Sequence, residues 1–170
     1  MVKGAIDLPA LKAELSAIHD RDQKTRAHGD SAQFMDYIDS CNLAQVELLI
    51  AKYGWMGKSF VGGRGNQAIF LVIQHAQLAI QEKYFPQIQQ SVNEGESQAI
   101  DLALLQDRIL MREGKKQIYG SQVVLNKTGG QEFYPIEDEK NVNIRRAGIG
   151  LEPMEQYAKY FGMEYKLPGK

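Results

Sequence analysis

Cysteine is all but missing from this chain: Cys41 stands alone among 170 residues. One thiol forms neither an internal disulfide nor a cysteine-rich zinc cage, and a reducing, cytoplasmic setting is the expectation that follows. A surplus of charge is missing too. With 20 basic and 21 acidic residues the formal net charge is -1, which gives no electrostatic footing for nucleic acid or for a membrane surface. Long apolar runs are absent: no stretch reaches the roughly 18 uncharged residues of a spanning helix, and the segment before Pro9 lacks the basic cluster and apolar run of a secretory leader. Histidine is scarce, and His19, His28 and His75 have neither helical pair spacing nor a His-Glu-x-x-His pattern. No metal site is therefore read from the local sequence.

What is present is an ordinary globular balance, 44% apolar and 24% charged, in a chain of the length of one domain. Residues 1–170 are expected to form a single domain, divided into a helical part (8–113), a β-hairpin (114–136) and C-terminal helices (137–165). Leu8, Leu11, Leu15 and Ile18 recur at helical spacing and predict an amphipathic helix over 8–27. A second helical region, 32–53, reads as restarting at Asn42, which has Gln45 three residues later in the manner of a capping box, and Gly54 supplies its stop. Five glycines between Gly54 and Gly65 predict a loop. Residues 66–83 are apolar nearly all round and predict a buried central helix, Pro86 reads as opening a shorter helix, and 97–113 as another. Beyond Gly114 the pattern changes. Residues 117–125 and 131–136, joined by Asn126-Lys127-Thr128-Gly129-Gly130, predict one hairpin, followed by short helices over 138–147 and after Pro153. The fold class expected is α+β, predominantly helical, with five or more helices around a buried central helix and one β-hairpin.

Two phosphate-binding patterns are incomplete. Gly57-Lys58-Ser59 ends like a P-loop but has Lys52 where the first glycine belongs and a helix where a strand belongs, and Gly63-Arg64-Gly65-Asn66-Gln67-Ala68 lacks the strand of a βαβ unit. What remains is a glycine-rich loop leading into a helix whose N-terminal amides could receive an anion.

Polar residues on apolar faces carry more weight. Asp22 and Arg26 extend the Leu11-Leu15-Ile18 stripe, His75 has Leu71, Val72, Leu78 and Ala79 at its helical neighbour positions, and Asp107 has Ala103, Leu104, Leu110 and Met111. A buried charge without a partner costs several kcal/mol, on the order of 3–5 where one partner has been removed, so such groups are expected to find one another. Gln74 and Arg108 are adjacent to this set, while Gln117, Tyr119 and Gln122 are polar in an apolar strand that Gly120 could kink to aim them alike. Arg145 and Arg146, beside Asp138, would suit a carboxylate or phosphate. A structural network holding helices in register accounts for the same residues.

The chain resembles the bacterial family catalogued as domain of unknown function 6624, from about residue 15 to residue 157. The resemblance rests on Asp22-Gln23-x-x-Arg26, Asp39-x-x-Asn42, Tyr53-Gly54-Trp55, Val61-Gly62, Gln74-His75-Ala76, Gly95-Glu96, Asp107-Arg108, Gln117-x-Tyr119-Gly120-x-Gln122, Pro135-Ile136-x-Asp138 and Arg145-Arg146 before Gly150-Leu151. It departs at Met56, where the pattern tends to have proline, and at Gln77, where it tends to have aspartate. The resemblance implies no activity and no cofactor.

The leading reading of the residues is a small hydrolase or group transferase acting on an anionic small molecule. His75 would be its acid/base, with Asp107 orienting it or sharing its proton. Asp22, Arg26, Gln74, Arg108, Gln117, Tyr119, Gln122, Arg145 and Arg146 would hold substrate. The alternative is a non-catalytic ligand- or partner-binding module with a structural polar core. Cys41 reads as a small buried side chain rather than a nucleophile.

Overall fold

In the structure, a computed structural model that describes residues 6–169, the chain divides into two compact units, one running to Ser97 and the other starting at Gln98. The first contains α1 (Leu8–Ala27), α2 (Ala32–Tyr53), α3 (Lys58–His75) and α4 (Leu78–Asn93). Asp7 starts α1 by accepting the Ala10 N–H at 3.0 Å, and Pro9 lies in the first turn, where its missing N–H would have had no partner. The buried stripe of α1 is Leu11, Leu15, Ile18, Asp22 and Thr25, an apolar seam that ends in polar groups. α3 is the central helix. It packs on α1, α2 and α4 and buries Val61, Ala68, Ile69, Phe70, Val72 and Ile73.

Four helix boundaries differ from expectation, each for a structural reason. α2 does not restart at Asn42, because that side chain is fully buried within the helix and its Oδ1 accepts from Arg21 Nε at 2.7 Å instead of capping. The glycine-rich stretch is helical from Lys58, with a kink at Gly62, whose φ of 82° suits glycine. Glycine there costs helix propensity, but Gly65 also lets α1 come close: a Cβ at that position would meet Leu15 Cδ1 at 3.2 Å. The long apolar segment breaks at Ala76 and Gln77, both extended, and α4 then runs through Pro86 without a break. The missing Pro86 N–H removes one bond of α4 and does not end it.

The second unit holds α5 (Ala99–Arg112), a hairpin of β1 (Val123–Leu125) and β2 (Gln131–Phe133), a 3-10 turn (Glu139–Asn141), α6 (Val142–Gly148), α7 (Met154–Tyr157) and a second 3-10 turn (Ala158–Phe161). β1 and β2 are antiparallel, with Val124 opposite Glu132. Asn126 closes their turn, its Oδ1 accepting from Thr128 N at 3.0 Å and Gly130 N at 2.9 Å. Ile136, Val142 and Met154 form a core against which Phe133, Tyr157, Tyr165 and Leu167 pack. The protein is thus a predominantly helical α+β chain with a single two-stranded hairpin among its described residues. No helix among those residues is long and apolar enough to cross a membrane.

Asp101, in the first turn of α5, is 8% exposed, and burial pushes its carboxyl up from the ordinary 3.8 to about 6. A carboxyl raised on folding favours the folded state while protonated, so its contribution is fullest below the unfolded value and is lost as pH rises through about 6. Asp101→Asn is expected to raise the unfolding free energy by about 1–3 kcal/mol near pH 7.5 and to change it little near pH 4. Urea denaturation at the two pH values measures this, and an equal effect at both contradicts it.

Candidate functional site

The polar end of the α1 stripe meets the last residue of α3. Asp22 is 1% exposed, and its Oδ1 lies 2.9 Å from His75 Nδ1. On the other side of the ring, Arg26 Nε donates to His75 Nε2 at 3.2 Å. A guanidinium N–H only donates, so Nε2 is the acceptor and the imidazole proton sits on Nδ1, where it is given to Asp22. Arg26 Nη1 lies 3.2 Å from Asp22 Oδ1, and its Nη2 donates to both oxygens of Asp39 on α2, at 3.0 and 2.9 Å. One guanidinium therefore joins three helices, by hydrogen bonds to His75 and Asp39 and an ion pair with Asp22. Two carboxylates face a single permanent cation, so the cluster keeps a formal negative charge.

Burial by itself pushes the Asp22 carboxyl up. The hydrogen bond of His75, the charge of Arg26 and the bond from Gln23 Nε2 at 2.8 Å together outweigh it, and the net direction is down from the ordinary 3.8. His75 owes its placement to the break after it. Ala76 and Gln77 end α3, Gln81 Nε2 donates to the Gln74 carbonyl at 2.6 Å, and the ring is left at the carbonyl end of the helix. Beside it lies a cleft of about 450 Å³ lined by His75, Asp36, Asp39, Ser40, Gln77 and the apolar Leu43 and Ile80.

Asp22, Asp39 and His75 offer ligand atoms within 4.8 Å of one another, a donor set that suits a divalent cation. The Arg26 guanidinium brings its positive charge to the same three groups. The anion site expected at the start of α3 is met by the chain itself: Glu96 Oε2 accepts from Ser59 N at 2.8 Å and the Glu96 carbonyl from Lys58 N at 3.0 Å. Gly63 to Ala68 lies wholly inside α3, so it forms no nucleotide-binding turn.

Other expected site residues lie in the second unit, and most of their polar atoms go to backbone. Asp107, fully buried, accepts from Ile118 N at 2.7 Å, from Tyr119 N at 3.0 and 3.1 Å and from Ser121 N at 3.0 Å. Both ring nitrogens of His75 are engaged by Asp22 and Arg26, so the hydrogen bond to the ring expected of Asp107 is made by Asp22. Gln117 uses its side chain as a piece of strand, its Oε1 accepting from Gln122 N at 2.8 Å while Nε2 donates to the carbonyls of Gln122 and Tyr134 at 3.0 and 2.7 Å. This is why the ladder is shorter than expected. Gln122 accepts from Arg108 Nε at 3.2 Å. Tyr119 gives its N–H to Asp107 and its carbonyl to Arg146 Nη1 at 2.7 Å. Arg146, fully buried, also donates to the Glu152 carbonyl at 2.6 Å and lies 4.6 Å from the Tyr157 ring, and Arg145 Nε donates to the Ile118 carbonyl at 2.9 Å. Gly120 has φ 71°, and a Cβ there would meet Met154 Sδ at 2.6 Å.

A family of unknown function (DUF6624) matches residues 9–170. The chain belongs to that family. No curated protein and no solved structure matches it. The DUF6624 stretch takes in both polar clusters, one around Asp22 and one around Asp107. Asp39 was not among the expected site residues, although it stands in one of the motifs that carried the resemblance. Its signal was an acidic residue one position past the buried Ile38, which periodicity alone assigns to solvent.

The second cluster makes a stability prediction. Asp107→Asn replaces one acceptor oxygen with an NH2 donor that faces backbone N–H groups, and Gln117→Ala leaves buried backbone groups without partners. Each is expected to lower the unfolding free energy by about 2–4 kcal/mol. Near-parental stability of both variants in urea denaturation contradicts the scaffold role.

Proposed function

We propose that this DUF6624 protein is an enzyme of hydrolytic or group-transfer type in which His75 moves a proton at the cleft and Asp22 holds its tautomer. The observation that carries the reading is the Asp22–His75 hydrogen bond at 2.9 Å, made by a carboxylate that is 1% exposed, with the ring lining an open cleft. A buried carboxylate on Nδ1 directs the Nε2 lone pair outward and stabilises the imidazolium that forms when that lone pair takes a proton. The chemistry follows in two transfers. Nε2 takes a proton from water or a substrate hydroxyl, the oxygen attacks an electrophilic carbonyl or phosphoryl centre, and the imidazolium returns the proton to the leaving group.

Arg26 must release Nε2 for this, and its side chain, 26% exposed, keeps Asp39 as an anchor while it does so. The lining gives a neutral or cationic substrate better support than an anionic one: Asp36 and Asp39 face the cleft, Arg26 is already balanced, and Arg145 and Arg146 are occupied with backbone carbonyls. The Arg26 contact itself favours a second reading, a non-catalytic binding module, because it covers the lone pair a base would use.

The experiment is a substrate screen over esters, amides and phosphoesters, followed by kcat against pH. His75→Gln and Asp22→Asn are each expected to lower kcat by about 10²–10⁴ with the fold retained, and to remove the pH dependence carried by the imidazole. Turnover that persists in His75→Gln, or a ligand that binds without being turned over and is indifferent to both substitutions, contradicts the enzyme reading.

A further inference from the structure

Helix α2 has three faces, separable at about 100° per residue. One carries Ile38, Asn42, Val46 and Leu49, all buried. A second carries Asp36, Asp39, Ser40 and Leu43 and borders the cleft. The third carries Phe34, Tyr37, Cys41, Ala44, Leu48 and Ala51. Their spacing runs three, four, three, four, three, which is the narrow seam of a two-helix coiled coil rather than the broader stripe of a helix seated on its own core. This seam faces outward. Phe34 is 46% exposed, Tyr37 63% and Leu48 72%.

We propose that this seam is a homodimer interface, in which α2 lies antiparallel against α2 of a second copy of the chain. Self-complementarity identifies the occupant. A two-fold contact requires one patch to hold both projections and the recess that receives them. Here the N-terminal half of the seam offers the two large rings, Phe34 and Tyr37. The C-terminal half offers Ala44, Leu48 and Ala51, which border a groove of about 540 Å³ closed by Glu47, Lys83 and Tyr84. A two-fold axis between Asn42 and Leu43 sets Phe34 against the partner's Ala51, Tyr37 against the partner's Leu48 and Cys41 against the partner's Ala44. Large meets smaller along the whole seam. Parallel pairing would instead stack Phe34 on the partner's Phe34 and leave a gap between the alanines at the other end.

Charge and dipole agree with the antiparallel choice. Lys83, held to Glu47 at 2.7 Å, lies on the flank to which the rotation brings the partner's Asp36, and opposed helices place their dipoles head to tail. About 33 Å of paired helix buries on the order of 1,000 Å², near the lower end of specific interfaces, so a dissociation constant in the micromolar range is expected. Asp36 is the cleft-lining residue that this arrangement engages, and His75 and Asp39 stay outside the seam.

Cys41 makes the test specific, being the only cysteine. The two copies of this thiol would sit about one helical turn apart along the seam, on opposite helices and within reach of a short bismaleimide. Sedimentation velocity of the full chain from about 1 to 200 μM is expected to show a monomer–dimer equilibrium that Tyr37→Lys and Leu48→Lys each weaken at least tenfold, with helical circular dichroism unchanged. The parent chain is expected to give a covalent dimer with the bismaleimide, and Cys41→Ser none. A monomer throughout that range overturns the proposal, as does a dimer indifferent to both lysine substitutions. A dimer that the reagent fails to link overturns it too, and needs no variant to fold.

Discussion

A carboxylate removed from water must be given a cation, a set of donors or a proton, and the arrangement of each unit follows from how one buried aspartate meets that demand. In the first unit Asp22 is met by side chains: His75 from α3, Arg26 from its own helix and Gln23 beside it. In the second unit Asp107 is met by the backbone, through the N–H groups of Ile118, Tyr119 and Ser121. The distinction has a mechanical consequence. Backbone donors belong to the loop they hold, so Asp107 fixes the path of residues 117–122. Side-chain donors have rotamers and protonation states of their own, so the Asp22 cluster can change while its helices stay in place.

Most of the helical frame was legible because its signals are local. The seam Leu11, Leu15, Ile18 sets both the extent of α1 and the burial of Asp22, and the uniformly apolar run in α3 marks the helix that three others cover. Where the reading failed, a nonlocal contact decided. Asn42 looks like a cap until Arg21 binds it from another helix, and the glycines before Asn66 look like a loop until α1 packs against them. Gln117 looks like a ligand-binding amide, but its side chain completes a strand whose own ladder is short. In each of these a polar or flexible residue read as a cap, a loop or a ligand contact went to backbone or to a neighbouring helix.

The candidate site was legible in its members and not in its pairing. Periodicity picks out a residue that is polar on an apolar face, and it picked out Asp22, His75 and Asp107 alike. It carries no information about which of these share a partner, since that depends on where helices distant in sequence cross. Asp39 shows the complementary weakness. It lies on a half-exposed face of α2, where an acidic residue is unremarkable, and its bidentate hold on Arg26 is a fact of tertiary structure alone.

The Asp22 cluster is a poor device for stability alone, because a partly buried set of ions is generally replaced by apolar side chains with little loss and often with gain. The proposed reaction gives it a different use. Arg26 and a proton compete for the same lone pair of His75 Nε2, since a guanidinium N–H at 3.2 Å and an N–H of the imidazolium itself cannot both occupy that position. While Arg26 stays, His75 is a neutral ring fixed at both nitrogens. When Arg26 swings to Asp39 alone, the ring faces a buried carboxylate on one side and the cleft on the other, with the carbonyl end of α3 behind it. Displacement of that one side chain bares Nε2 toward the cleft, and this is the step on which the proposed proton transfer depends.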